Sequence, residues 1–147
     1  MKLLILSKME ASLYQSKDKY AVIGVVSNDY VHPNIPPGYI DRLQLNFYDI
    51  DFTVTGYPGI MCSSVTKADG RKIIDFVEKN KNNVDHFVVH CNAGISRSSG
   101  IAAALSKIYN GDDSWVFNNY RYVPNMLVYR TIIDAYNKNS YTDLLYH

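Results

Sequence analysis

The fold of this chain is decided by residues 87–100, which read FVVHCNAGISRSSG. Residues 87–90 are a short apolar run typical of a buried β-strand, and apolar side chains then recur at helical spacing over residues 98–109. Between the two lies a short loop that begins at Cys91 and ends at Arg97. Open α/β sheets bind ligands where a buried strand ends and a helix begins. This stretch therefore predicts both the type of sheet and the place of a functional site.

Outward from this stretch, strand-like segments alternate with helical ones. The interleaving predicts an α/β fold with a central, mostly parallel sheet flanked by helices. We expect residues 1–147 to form a single domain, because two separate cores of about 70 residues each would be marginal. Trp115, Phe117 and Met126 are expected in the core by helical spacing. The predicted strands cover residues 2–6, 20–26, 43–47 and 87–90, and the predicted helices cover residues 66–80, 98–109, 114–119 and a last segment that opens at Pro124.

Composition excludes several classes of protein. Hydrophobic residues make up 47% of the 147 positions and charged residues 20%, a globular balance that excludes disorder. The net charge of +1 is too even for a dedicated nucleic-acid binder. No apolar run approaches the ~18 residues of a membrane span. Cys62 and Cys91 cannot form a disulfide framework, so we expect a reducing, cytoplasmic location. With the even charge and the absence of a span, we expect a protein that binds neither nucleic acid nor membrane, and we expect it to be a monomer.

The loop between Cys91 and Arg97 has the residues of a phosphate cradle with a nucleophile at its base. A curled loop can turn successive N–H groups inward, and Gly94 can adopt the positive φ that such a curl requires. The same dipoles favour the thiolate of Cys91, and the planar guanidinium of Arg97 can grip two phosphate oxygens. Ser98 places a hydroxyl near the sulfur. The expected phosphate-binding residues are Asn92, Ala93, Gly94, Ile95, Ser96 and Arg97.

This segment resembles a known signature. Residues 88–98 are similar to the His-Cys-x5-Arg-Ser signature of the cysteine-based protein tyrosine phosphatases, and the Ala-Gly-Ile-Ser interior most resembles their dual-specificity branch. Residues 45–50 resemble the strand that carries that family's general acid. Residues 120–125 resemble its Arg-x-x-x-Pro-Asn entry to the last helix, although Arg121 lies one place nearer the proline. The resemblance covers residues 41–136.

The resemblance implies a two-step phosphatase mechanism on a phosphorylated protein or peptide. The Cys91 thiolate would attack phosphorus while an aspartic acid protonates the leaving oxygen, and the same aspartate would then activate water. Arg97 and the loop amides would stabilise the transition state. We expect His90 to hydrogen-bond the loop backbone and orient the cysteine. Neither a metal nor a cofactor is expected.

Two aspartates compete for the role of general acid. Asp49 lies 42 residues before Cys91 and Asp51 lies 40 before it, so either choice needs an insertion of about ten residues relative to the compact members of the family. Alternation favours Asp49, because it shares a strand face with Leu45 and Phe47. Asp51 lies on the same strand face and is the alternative candidate for the general acid.

Other functions remain to be weighed against this one. A phosphoresidue-binding pseudophosphatase would keep the cradle but usually lose the nucleophile or the acid. An inositide phosphatase is disfavoured because the loop contains no lysine. An RNA 5′-phosphatase is disfavoured because the near-neutral charge of this chain does not provide the basic surface that RNA binding requires. Low-molecular-weight tyrosine phosphatases place their loop at the chain start, and sulfurtransferases do not predict His90, Gly94 and Ser98 together.

Three further features bear on the site, of which the histidine pair is excluded as a metal site and the other two stay open. His86 and His90 would lie about 13 Å apart on one strand face, too far to share a metal ion. Cys62 could trap an oxidised Cys91, although a merely buried thiol is the simpler interpretation. Residues 52–65 are rich in glycine and proline, and they are long enough for a lid over the site.

Overall fold

The computed structural model describes residues 1–51 and 64–146, with side chains described as far as residue 138. Strands and helices alternate along the chain, as the sequence predicts, and the α/β class is confirmed. The elements are β1 Lys2–Ser7, α1 Lys8–Leu13, β2 Tyr20–Val26, β3 Asp41–Asn46, α2 Lys67–Asn80, β4 His86–Cys91, α3 Arg97–Asn110, α4 Ser114–Phe117 and α5 Met126–Tyr146.

The four described strands form one parallel sheet in the order β1-β4-β2-β3. The two central strands, β2 and β4, are buried along their whole length, because helices and loops cover both faces of the sheet. Parallel pairing brings the carboxyl ends of the strands to one edge. The register places Ser7 beside Cys91 and Gly24 beside His90 at that edge.

One face of the sheet packs against α2 and α3, and α5 packs on these two helices to complete the main core. Helix α2 begins with the predicted capping box, in which Thr66 and Asp69 satisfy each other's backbone N–H groups. Its predicted apolar face, with Ile73, Ile74 and Val77, is buried as expected. Helix α3 is buried on all sides from Arg97 to Ser106. The phosphate loop therefore leads into a helix that is fixed from every direction.

Two features differ from the sequence-based expectation. Helix α1 was not predicted, although Ser7 and Glu10 form a capping box that marks its start. Trp115 and Phe117 were expected in the core, but each is 40% exposed. Helix α4 is a single turn in which only Val116 is buried. One turn is too short to place Trp115 and Phe117 on a common buried face. Within the described residues, no helix combines the length and the apolar character needed to cross a membrane.

Candidate active site

The site lies at the carboxyl edge of the sheet, where β4 passes into α3. Cys91 is the last residue of β4 and only 2% exposed, and Arg97 is the first residue of α3. Residues 92–96 connect them. The sequence predicted this strand–loop–helix arrangement, and the structure has it.

The loop carbonyls turn outward to the body of the protein. The Asn92 carbonyl accepts from the Lys8 amide at 3.1 Å, the Ile95 carbonyl from Val123 at 3.0 Å, and the Ser96 carbonyl from Gly100 at 2.9 Å. The described peptide bonds are all trans, so the N–H that follows each carbonyl points the opposite way. The amides of residues 93, 96 and 97 therefore face the inside of the loop. None of the three donates to another described residue.

The sulfur of Cys91 lies at the floor of this loop. The Gly94 amide donates to Sγ at 3.3 Å, and Ser98 Oγ lies 3.1 Å from Sγ. Gly94 has φ +71°, and a Cβ there would come within 2.7 Å of the Ser7 backbone nitrogen. Only glycine combines this φ with this close approach. The inward amide and the N-terminus of α3 both stabilise negative charge on the sulfur.

Arg97 is held from behind by one of its two terminal nitrogens. Nη1 donates to Ser27 Oγ at 3.0 Å and to the Phe47 carbonyl at 2.7 Å, and the side chain is 6% exposed. Nε and Nη2 have no partner among the described residues. That edge of the guanidinium is the one that can hold two oxygens of a phosphate. Ser27 is a site residue that the sequence analysis missed, since a serine after a buried strand carries no distinctive signal.

Asp49 is tied to the end of the phosphate loop. Its Oδ1 accepts from Ser96 Oγ at 2.8 Å and from Asn125 Nδ2 at 2.8 Å, and the residue is exposed. Strand β3 ends at Asn46, so the predicted alternation continues past the strand, with Leu45 and Phe47 buried. Asp51 is exposed as well, and no contact joins it to the described part of the site. The structure thus brings Asp49, and not Asp51, to the loop.

The expectation for His90 was wrong. Neither ring nitrogen has a hydrogen-bond partner among the described residues. Side chains alternate along β4, so His90 points to the sheet face opposite Cys91 and away from the loop. Its ring lies over Gly24, where a Cβ would come within 2.3 Å of Nε2. Burial, together with the nearby cationic groups of Arg42, His32 and Lys8, lowers the pKa of His90 from 6.5 to about 4.

Several other predicted features lie away from the loop or outside the described residues. His86 bonds Tyr14 and stacks on Tyr20, and in the described ranges no cluster of three or more His, Cys, Asp or Glu could hold a metal. Arg121 pairs with Glu10 of α1 at 3.3 Å. Cys62 and most of the suggested lid, residues 52–63, lie outside the described residues.

Several solved structures similar to this chain are dual-specificity phosphatases or phosphatase-like proteins. Human DUSP28 is 15% identical with a TM-score of 0.64, covering 95% of this chain and 94% of its own. The human tyrosine phosphatase-like serine/threonine/tyrosine-interacting protein is 16% identical with a TM-score of 0.63, covering 99% and 93%. PTPMT1 in complex with PI(5)P is 17% identical with a TM-score of 0.59, covering 97% and 94%. No protein family and no curated protein matches the sequence.

These similarities show the fold. The chain has the same fold as DUSP28 and the tyrosine phosphatase-like interacting protein. The expected fold class is therefore confirmed.

Proposed function

We propose that this protein hydrolyses phosphate monoesters of proteins, with phosphotyrosine as a substrate, and that it is a phosphatase of dual-specificity type. The observation that carries the proposal is the loop of residues 92–96. Its outward carbonyls leave inward amides above the Cys91 sulfur, with Arg97 at its end. This is a site for a tetrahedral dianion with a nucleophile beneath it.

The reaction would proceed in two steps. In the first step the Cys91 thiolate attacks phosphorus, a sulfur–phosphorus bond forms, and the bond to the leaving oxygen breaks. Asp49 donates its proton to that oxygen. In the second step Asp49 removes a proton from water, the oxygen of this water attacks phosphorus, and Cys91 leaves as the thiolate. Inorganic phosphate is released. Ser98 Oγ, at 3.1 Å from the sulfur, stabilises the departing thiolate.

Arg97 and the amides would supply the electrostatic stabilisation. Charge on the three equatorial oxygens is met by N–H groups that are already oriented, so no reorganisation is needed as the transition state forms. Ser27 and the Phe47 carbonyl hold Nη1, which fixes the plane of the guanidinium before substrate arrives. The rigid fork explains why an arginine suits this position better than a lysine.

The surroundings of the loop favour a phosphoprotein over a polyphosphorylated headgroup. Ile95 projects from the loop and is 41% exposed, and its carbonyl accepts from Val123, which is 67% exposed. These apolar side chains offer contact to a peptide but no charge for additional phosphates. An inositide phosphatase and an RNA 5′-phosphatase are the alternative enzymes, and a pseudophosphatase that only binds phosphoresidues is the alternative of another class.

The test is turnover of para-nitrophenyl phosphate by the purified protein in EDTA at pH 5–7. We expect turnover, inhibition by vanadate, and complete loss in Cys91→Ser. If the wild-type protein is folded but shows no turnover, the proposal that it is a phosphatase is wrong, and the phosphoresidue-binding pseudophosphatase remains. Phosphotyrosine, phosphoserine and phosphothreonine peptides, a soluble inositide phosphate and a 5′-phosphorylated RNA, compared at equal concentration, then identify the substrate class. A preference for either of the last two would overturn the phosphoprotein assignment.

A further inference from the structure

We propose that Asn125 is a positioning residue that determines which oxygen of Asp49 carries the transferred proton. The inference rests on the proposed function, in which Asp49 is the general acid. It assigns a task to a residue at the start of α5 that lies 76 positions from Asp49 in the sequence.

The geometry of Asn125 is fully specified by its own contacts. Its side chain is 1% exposed, and its Nδ2 donates to Asp49 Oδ1 at 2.8 Å and to the Ile50 carbonyl at 3.2 Å. Its Oδ1 accepts from the Val128 amide at 3.0 Å. The last contact fixes the orientation of the amide, because a flipped side chain would place N–H groups against the Val128 N–H. Both N–H donors therefore serve the segment that carries Asp49.

Two donors converge on one oxygen of the carboxyl group. Ser96 Oγ and Asn125 Nδ2 each lie 2.8 Å from Asp49 Oδ1. A protonated carboxyl group has one O–H and one oxygen that only accepts. In the protonated acid, Oδ1 accepts both bonds when the proton is on Oδ2. With the proton on Oδ1, the Ser96 hydroxyl would have to turn and accept, and Asn125 Nδ2 would face the poorer acceptor, a hydroxyl oxygen. Oδ2 has no partner in the described part of the chain, and Asp49 is exposed, so the proton is available to a leaving oxygen.

The same residue joins the acid to the phosphate loop. The Asn125 backbone N–H donates to the Ser96 carbonyl at 3.0 Å, and Gly100 permits this packing because a Cβ there would lie 2.7 Å from the Asn125 carbonyl oxygen. Asp49 and the loop are thus held by a single buried side chain and its backbone. The acid is in place before substrate binds, which is the arrangement that proton transfer in the transition state requires.

A purely structural role must be separated from this positioning role. Asn125 precedes the first residue of α5, and its bond to Val128 is a helix N-cap, which stabilises the helix whether or not Asn125 acts on Asp49. Serine is an equally good N-cap, but its hydroxyl is too short to reach Asp49. Asn125→Ser therefore keeps the cap and removes both N–H donors. Ser96→Ala removes the other donor to Oδ1 without changing α5.

The experiment measures kcat/KM for a series of aryl phosphates whose phenols differ in pKa. A poor leaving group needs the acid, whereas a good one does not. For Asn125→Ser we expect kcat/KM to fall about 10- to 100-fold for phenyl phosphate, part of the usual contribution of a general acid. It should fall less than about 3-fold for the most acidic phenol. Ser96→Ala should show the same split, while Asn82→Ala, a surface asparagine on the turn before β4, should match the wild type at every leaving group.

Each outcome separates this inference from the function on which it rests. In an Asp49→Ala background, Asn125→Ser should change the dependence on leaving group no further, since both act through one proton. An equal loss at every leaving group, or no loss, would overturn the positioning role of Asn125. The role of Asp49 as the general acid would still stand if Asp49→Ala lowers kcat/KM for the poor leaving groups. A wild type that hydrolyses none of the aryl phosphates would overturn both.

Discussion

At the scale of single residues, the site depends on how each reactive side chain is held by a neighbour that takes no part in the chemistry. Arg97 has one nitrogen bonded to Ser27 and Phe47, and Asp49 has one oxygen bonded to Ser96 and Asn125. In both groups the opposite edge has no partner among the described residues. Each side chain is thus fixed in place by one edge and remains available to substrate at the other.

The first prediction distinguishes the two candidate acids. Asp49→Ala should lower kcat by about 10²-fold or more with phosphopeptides, whose leaving groups are poor, which is the size of a general-acid contribution. Asp51→Ala should leave kcat within about 2-fold, because no contact joins Asp51 to the described site. Steady-state kinetics on one phosphotyrosine peptide is sufficient. The reverse pattern would show that the acid is Asp51 and that the observed bonds of Asp49 are structural.

The second prediction concerns the support of the guanidinium. Ser27→Ala removes one hydrogen bond to Arg97 Nη1 and leaves the other, so kcat/KM should fall about 10-fold, the equivalent of one hydrogen bond to a charged group of ~1.4 kcal/mol. Arg97→Lys should abolish turnover, because an ammonium cannot bond Ser27, Phe47 and two phosphate oxygens together. If Ser27→Ala has the kcat/KM of the wild type, the bond to the Phe47 carbonyl alone is enough to hold the guanidinium of Arg97 in place.

At the scale of elements, the phosphate loop is shaped by what its carbonyls bond and by what its glycine approaches. The turn at Gly94 brings the backbone within reach of the end of β1, and the carbonyls of residues 92 and 95 bond to α1 and to the segment before α5. The curl of the loop is therefore imposed by neighbouring elements as well as by its own sequence.

The third prediction uses two glycines with nearly the same φ. Gly111 has φ +74° and open space around it, whereas a Cβ at Gly94 would lie 2.7 Å from the Ser7 nitrogen. Gly111→Ala should cost about 1 kcal/mol of unfolding free energy, the strain of a left-handed alanine alone. Gly94→Ala should cost distinctly more and also abolish turnover. Chemical denaturation monitored by circular dichroism measures both. Equal losses of stability would mean that the loop can shift away from β1.

Local signals predicted the elements well, and contacts between distant segments were not predictable. The cap at Thr66, the apolar strand before Cys91 and the position of Gly94 each follow from a few neighbouring residues. Helix α1 was missed although its capping box is visible in the sequence. The contact between Asn125 and Asp49 depends on how α5 packs on α3, and no local pattern encodes that packing. His90 was misassigned because its direction follows from strand alternation, which the resemblance to a signature does not describe.

At the scale of the whole molecule, the stability of the fold depends on pH through one buried imidazole, that of His90. His90 is fully buried on the sheet face opposite Cys91, with a pKa of about 4 in the folded protein against 6.5 in the unfolded chain. Between these two values the unfolded state binds more protons than the folded state, so stability rises with pH. The contribution of His90 is fully present above pH 6.5 and is lost as pH falls towards 4.

The fourth prediction follows from this coupling. The unfolding free energy of the wild type should fall between pH 6.5 and pH 4 by about 3 kcal/mol more than that of His90→Gln, which has no imidazole to protonate. Urea denaturation at several pH values compares the two. Parallel pH profiles would contradict the burial of a neutral imidazole. Because His90 does not bond the loop, it is expected to affect activity through stability.

The proposed reaction requires a sulfur nucleophile at the floor of the phosphate loop, and this nucleophile can be identified by trapping the covalent intermediate. The protein is mixed with an aryl phosphate that has a good leaving group, quenched within the first turnovers, digested and examined by mass spectrometry. We expect one phosphoryl group on the peptide that contains Cys91, and none in Cys91→Ser. Turnover with no phosphoenzyme, or with the phosphoryl group on Cys62 or a histidine, would contradict it.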